Sequence, residues 1–376
     1  MFKLISGAVA LILAASVASA DIGIYVLGES GGGGAAVMGF SGNASVATGV
    51  SDGRVFRWTP STGLTYISPQ SYLYTSFANV SADGSTIVST VADHTGMFSA
   101  ARWTTQGGWQ NLGGLPGQSS PDGQQISSGY GLNADGSVAV GLGWHTDYSA
   151  EGFRWAQATG MVGLGQPPAP GRSSRASNIS ANGSTIVGFF EHPQYGNRRP
   201  VRWVNGGAAD LFLGAEMVGE ATATSSDGSV IVGGATLDGI NQHAFIYSDA
   251  HGATDLGLLY EDPFGFGQSF ANGISDNGIV VGWSGDPFFG PIDGFVWTGD
   301  RGMMSAADYL SGYGLSVPQD WVVSSITAIS ADGSAIGGQM VNMNTFQTAG
   351  WIAITPEPAS IALLGLAAAA VIRRRR

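Results

Sequence analysis

The chain has 376 residues, 60 of them glycine and none cysteine, with 11% charged and 44% hydrophobic side chains. Glycine at more than twice its usual share of about 7% excludes long helices and helical bundles; the missing G-X-Y period and the hydrophobic content exclude collagen and a disordered polar chain. The formal net charge is -12, and the lack of cysteine rules out disulfides, thiolate zinc sites and a cysteine nucleophile.

In chain order, Lys3 precedes an apolar stretch from Leu4 to Val17, which Ala18-Ser19-Ala20 separates from Asp21. This is the charged, apolar and small-residue series of a secretory signal peptide, residues 1–20, with signal peptidase expected to cut between Ala20 and Asp21. The apolar run is shorter than the ~20 residues of a spanning helix. The mature chain is expected to leave the cytoplasm.

Residues 21–354 repeat one unit seven times. Asn79-Val80-Ser81-Ala82-Asp83-Gly84-Ser85-Thr86-Ile87-Val88 returns as Asn178-Ile179-Ser180-Ala181-Asn182-Gly183-Ser184-Thr185-Ile186-Val187. Looser copies centre on Asp135-Gly136, Asp227-Gly228, Asn277-Gly278 and Asp332-Gly333, and a degenerate one on Asn43-Ala44. Each is followed by an aromatic, in turn Trp58, Trp103, Trp155, Trp203, Tyr247, Trp297 and Trp351, at intervals of 45, 52, 48, 44, 50 and 54 residues. Periods of this size with strand-type patterning predict propeller blades of four strands. Asp-Gly and Asn-Gly predict a two-residue hairpin turn with positive φ between the first two strands. The last unit lacks a fourth strand, and Ile22 to Gly28 reads as the missing one. The expectation is an all-β, seven-bladed β-propeller closed by pairing the mature N-terminal strand with the last blade; a β-solenoid or a large sandwich is the competing architecture.

Most chemistry-bearing residues in the repeats read as scaffold. Asp83, Asp135, Asp227 and Asp332 each precede a glycine, and asparagine replaces them at Asn182 and Asn277, as turn residues allow. Arg57, Arg102, Arg154 and Arg202 give way to Ile246, Val296 and Gly350 in the later units, which points to packing at blade edges. Gly49-Val50-Ser51-Asp52-Gly53 matches a nucleophile elbow in letters but lacks the strand-to-helix context, and Gly31 to Gly34 lacks the helix and lysine of a phosphate loop. One constellation is a candidate ligand site. His94, His145 and His192 fall 10 or 11 residues after their turn residues, in the same inter-strand loop of three consecutive blades, with Asp93, Asp147, Glu151 and Glu191 beside them. These loops and Tyr148 offer polar and aromatic groups to a ligand such as a sugar ring. No metal is assigned, and calcium finds no D-x-[DN]-x-[DN]-G loop.

Thr355-Pro356-Glu357-Pro358 leads into an apolar run over 359–372, capped by Arg373, Arg374, Arg375 and Arg376. The run is a short transmembrane segment whose basic end stays cytoplasmic. This tail, residues 355–376, resembles the PEP-CTERM sorting signal of Gram-negative bacteria. The resemblance implies recognition by an exosortase-type membrane protease, cleavage near Pro358, and delivery to an outer surface, biofilm or extracellular matrix. The repeat itself resembles the HAF family of bacterial extracellular repeats, which pass from an Asn- and Gly-rich segment through a Val-Gly step to an aromatic-Trp pair. Gly188, Gly233 and Gly282 keep that step, whereas Ser89 replaces it in the second unit.

Between its two ends the chain has no lysine and ten arginines, against more than twice as many acids. Such a surface repels phosphodiester backbones, so nucleic acid is not an expected partner. The expected function is an exported, non-enzymatic surface or matrix propeller that binds exopolysaccharide or a matrix protein, without a cofactor. The alternative is a secreted polysaccharide hydrolase or lyase working over the channel with blade-specific acids such as Glu151, Glu191, Asp286 and Asp293.

Overall fold

The computed structural model describes residues 21–356 except 31–34, 72–76, 168, 238, 240, 261–264 and 287–291. Seven antiparallel sheets follow one another along the chain. The innermost strands are Ala35–Phe40, Ala78–Val80, Ser127–Leu132, Ser174–Ile179, Gly219–Thr224, Gln268–Ile274 and Trp321–Ile329 for blades one to seven. Six sheets have four strands. In the fourth blade the described residues form three, and an isolated bridge between Arg202 and Asp210 stands where the outer strand would pair.

The ring closes as the sequence predicts. The N-terminal strand Gly23–Ser30 lies against Thr348–Ile354 as the outer strand of the seventh blade, with Gly23 opposite Ile354 and Leu27 opposite Gly350. Pairing the two ends leaves no blade with an open seam. Apolar clusters sit between successive blades as well as within them: Val88 and Ala100 of the second pack with Leu132, Phe153 and Trp155 of the third, and Val187 of the fourth with Ala221, Ile231 and Phe245 of the fifth. Trp58, Trp155, Trp203 and Trp351 are buried.

The recurring turn is a four-residue loop rather than the expected two-residue one. Ser81 and Thr86 close it, with the Ser81 N–H donating to the Thr86 carbonyl at 2.9 Å. The return bond is not made by backbone: the Thr86 N–H donates to the Ser81 hydroxyl oxygen at 3.0 Å. The same substitution occurs in every blade, through Ser41, Asn133, Ser180, Ser225, Ser275 and Ser330, although the loop that Ser275 closes with Ile279 is one residue shorter. Positive φ is confined to the glycine, for example 72° at Gly84; the acid before it is not left-handed and acts through its side chain. Asp83 Oδ1 accepts from the Ser81 hydroxyl at 2.6 Å and the Ser85 N–H at 2.9 Å. Asn182 Oδ1 does the same with Ser180 and Ser184 at 2.7 and 2.9 Å, which explains why asparagine and aspartate interchange. In the degenerate first copy Ala44 holds the glycine position at φ 55°.

The turns also join the blades. The Gly42 N–H donates to the Ala82 carbonyl, Ala82 to Ala134 and Ala134 to Ala181, at 2.8 to 3.0 Å. Beyond them Asn182 donates to Ser226, Ser226 to Asp276 Oδ1, and Asp276 to Ala331.

Three residues before the turn, within the inner strands themselves, lies a bulge. The ladder skips Met38, Tyr130, Ser177, Thr222, Asn272 and Thr327 at this position, in every blade but the second, and in the seventh it also skips Ser324. The bulge drives a carbonyl into the neighbouring strand, and the glycine of the Val-Gly step, Thr48-Gly49 in the first blade, answers it. A Cβ on Gly49, Gly141, Gly188, Gly233 or Gly282 would lie 1.9 to 2.0 Å from that oxygen. In the second blade the ladder runs unshifted from Ala78 opposite Ser89, and the Ser89 hydroxyl donates to the Phe77 carbonyl at 2.5 Å. The one unit without the glycine is the one without the skipped residue.

Three outcomes are expected in urea denaturation. Gly141→Ala should cost about 2 kcal/mol or more, because a methyl group has no space beside the Ser128 carbonyl, whereas Ser89→Ala should cost about 1 kcal/mol for its single hydrogen bond. Ala44→Gly should stabilise by about 1 kcal/mol by relieving the left-handed alanine. Hydrogen bonds from Ser81 and Ser225 hold the Asp83 and Asp227 carboxyls below their usual range, and the Ser137 side chain does so for Asp135. A depressed carboxyl contributes stability above its unfolded value of about 4 and loses it as pH falls through the folded one. Melting temperature should therefore drop below about pH 4, and the Asp83→Asn, Asp135→Asn, Asp227→Asn triple variant should drop less.

Candidate functional site: the channel mouth

Strand direction gives the ring two different faces. Each inner strand ends at the Ser-x-Asp-Gly-Ser turn, so those turns share one face. The loops between second and third strands share the other. On that second face the channel widens into a cavity of 430 Å³, lined by Phe77, Tyr130, Arg175, Glu220, Phe270 and Trp283 with amides and hydroxyls below them. A narrower space of 190 Å³ continues toward the turn face, with Met38, Asn79, Asn178, Asn272 and Thr327 common to both.

The blades supply the lining unequally. Phe77 and Tyr130, from the second and third, lie 4.6 Å apart between ring centroids. Phe270 and Trp283 face each other across the sixth blade's ladder, stacked at 6.5 Å and 5°. Between these aromatic pairs lies charge. Glu220 Oε1 accepts from Arg175, and Oε2 accepts from Arg198 Nη1 at 2.8 Å. Arg175 lies 4.9 Å from the ring centres of both Tyr130 and Phe189, and Arg198 4.4 Å from that of Phe189. The planar guanidiniums thus stack on rings while their edges hold the carboxylate. Several lining polar groups are already engaged between blades: the Thr222 hydroxyl donates to the Ala271 carbonyl at 2.6 Å, Asn272 Nδ2 to Ile326 at 2.9 Å, and the Thr327 hydroxyl to Val37. Asn79 and Asn178 accept at Oδ1 from the N–H of the next residue, 2.7 Å in each case. Their Nδ2 groups make no bond to the described residues, so both can donate to a ligand in the cavity.

The histidine loops emerge on this same face, but the His145 and His192 side chains are each held locally. His145 Nε2 lies 3.1 Å from Glu151 Oε2, and Glu151 Oε1 accepts from the Gly165 N–H at 2.7 Å. His192 Nε2 is 3.4 Å from Glu216 and its ring stacks on Tyr195. Glu191 Oε2 accepts from the Ser173 N–H at 2.9 Å. Asp93 and Asp147 brace their own loops: hydrogen bonds from the side chains of Thr95 and Ser149 hold both carboxyls below the usual range. His94 and Tyr148 are exposed. Among the described residues no three His, Asp or Glu side chains are arranged to hold a metal ion. Of the blade-specific acids, Asp293 accepts from the Tyr260 hydroxyl outside the channel, and none of the four lines the mouth.

Arg175, Glu220 and the aromatics escaped sequence reasoning, although a signal was present. Five residues before each turn residue, otherwise interchangeable units read Met38, Ala78, Tyr130, Ser177, Thr222, Asn272 and Thr327; seven before, three of them read Arg175, Glu220 and Phe270. Variation at a fixed register marks the face the repeats do not share.

Comparison with known proteins agrees with this architecture. Residues 355–376 match the family model of the PEP-CTERM protein-sorting motif. Pro356 is the last described residue of that motif; Glu357, Pro358, the apolar run over 359–372 and Arg373 to Arg376 lie outside the described residues, as does the signal peptide through Ala18 and Ala20. No helix among the described residues is long and apolar enough to cross a membrane. No curated protein matches the sequence. Among solved structures, an oligogalacturonate lyase in complex with manganese is similar at TM-score 0.54 and 12% identity, over 89% of this chain and 97% of the lyase. Prolyl oligopeptidase B from Galerina marginata is similar at 0.54 and 9%, over 89% of this chain, which spans about half of that enzyme (49%). At these identities the likeness concerns the propeller fold alone. The motif and the fold together define an exported β-propeller that an exosortase sorts.

Glu220→Ala should lower stability by about 2 kcal/mol, because it leaves two arginines unpaired at a largely buried position. Arg198→Ala should cost less than about 1 kcal/mol, its side chain being half exposed. Urea midpoints distinguish the two.

Proposed function

We propose that this protein is a non-enzymatic propeller of the cell surface or extracellular matrix that binds exopolysaccharide at the channel mouth. The observation that carries the reading is the lining itself: two aromatic pairs on opposite blades, with amide donors between them. Sugar rings present apolar faces that stack on aromatic side chains and hydroxyls that pair with amides. Glu220 is the only acid among the described lining residues and both its oxygens are engaged by arginine. Glycoside hydrolysis in its usual form needs two carboxyl groups flanking the bond, one of them able to give up a proton. The lining therefore favours binding over cleavage. A matrix protein on the same face is the other partner the exported setting offers, and the units are read here as HAF-type repeats that carry this surface outward.

Purified residues 21–355 incubated with the producing organism's exopolysaccharide should be retained without releasing new reducing ends. Trp283→Ala and Phe77→Ala should each weaken retention about tenfold, the scale of one lost stacking contact, while His145→Ala leaves it unchanged. Reducing ends released in proportion to intact protein would overturn the reading in favour of a hydrolase or lyase.

A further inference from the structure

The ring closure places both ends of the propeller on one face. Gly23 pairs with Ile354, and Ala335, which follows the Asp332-Gly333-Ser334 turn, pairs with Ile354 from the other side. The folded chain therefore begins and ends on the turn face, side by side, while Ser30 and Thr348 mark the mouth side of the same two strands. The end is also firmly held. Thr355 is buried, and its N–H and hydroxyl both donate to the Ser334 carbonyl, at 2.8 and 3.1 Å. The sorting motif begins at that same residue, so blade and signal meet without a linker. From Thr355 to the first residue of the apolar run, Ala359, four residues reach at most about 14 Å. From Gly23 back to Ala20 three reach at most about 11 Å.

We infer that, while the sorting tail is in place, the propeller stands on the membrane with its Ser-x-Asp-Gly-Ser turns facing the bilayer and its aromatic mouth facing away. Gly23 and Ile354 are ladder partners, so the ring closes without either end crossing to the opposite face. The turns present Asp83, Asp135, Asp227 and Asp332 rather than arginines; the short tether, and not attraction to anionic lipid, sets this orientation. A polymer reaching the surface meets the open mouth before the tail is removed. This orientation follows from strand order and the short tether, and holds whatever the mouth binds.

The absence of native cysteine allows a direct test on the full chain in membranes of a host without exosortase. Ser61 and Asp300 lie in exposed hairpins on the turn face of the first and sixth blades, flanking the seventh, and Asn344 lies in the seventh blade's exposed loop on the mouth side. With a bulky polymer-linked maleimide, Ser61→Cys and Asp300→Cys should react at least about tenfold slower than Asn344→Cys, since a polymer coil does not enter so short a gap. A small maleimide should label all three, and in the chain ending at Thr355 the polymer reagent should label all three at comparable rates. Equal polymer labelling in the membrane-bound form, or slower labelling at Asn344→Cys, would overturn the inference. Thr62→Cys and Arg301→Cys repeat the test should either first variant fail to fold. Exopolysaccharide retention is measured separately, so loss of binding and loss of orientation give different results.

Discussion

Each blade turns on one side-chain oxygen that stands in for a backbone carbonyl. At the end of every inner strand a serine hydroxyl, or the Asn133 amide, accepts the N–H that opens the second strand. The Asp or Asn two residues later holds that oxygen in place. A side-chain acceptor reaches farther than a carbonyl and leaves space for a four-residue loop. The loop's own backbone is then free to bond the next blade, and the chain of contacts from Gly42 through Ala82 and Ala134 to Ala181 uses that freedom. Local turn chemistry and ring assembly are thus one hydrogen-bond system. Unpaired polar groups at the crowded centre of a ring would be costly, and here the turn repeats supply their partners.

The bulges give the inner strands a second character a few residues before the turns. An extra residue at the same place in six blades sends one side chain per blade toward the channel, and the carbonyl it displaces requires glycine on the adjacent strand. Phe56, Phe153, Phe245 and Phe295 cover four of those glycines, so the absent side chains leave no voids. The second blade shows the coupling from the other side: Ser89, its unshifted ladder and the small Ala101 opposite occur together. A strand that differs by one hydroxymethyl group changes what its neighbours can be.

The proposed binding uses what the repeats do not share. The turn face is nearly the same from blade to blade and carries the two ends of the propeller. The mouth is asymmetric, with aromatics from the second, third and sixth blades and an arginine–carboxylate group from the fourth and fifth. Stacking the guanidiniums of Arg175 and Arg198 on Tyr130 and Phe189 fixes a charged group at the lip of the channel. In a chain without lysine between its two ends, this is a local concentration of positive charge on an acidic body.

The sequence alone determined the repeat count, the all-β class, the closing partnership of the two ends and the C-terminal sorting motif, because each is written in local, periodic or terminal residues. It identified Asp83 and its counterparts as scaffold, but misread their turn, since the number of residues in a loop depends on which oxygen accepts the closing bond. The histidine loops looked like a cluster because equal spacing puts equivalent loops on one face. Spacing does not say that Glu151, Glu191 and Glu216 come from the sides to hold the loops and their histidines. Arg175 and Glu220 are 45 positions apart in different units, and nothing local distinguishes them from edge residues. Only the closed ring, which brings the inner strands around one axis, decides that these two meet and that the mouth opens on the face opposite Gly23 and Ile354.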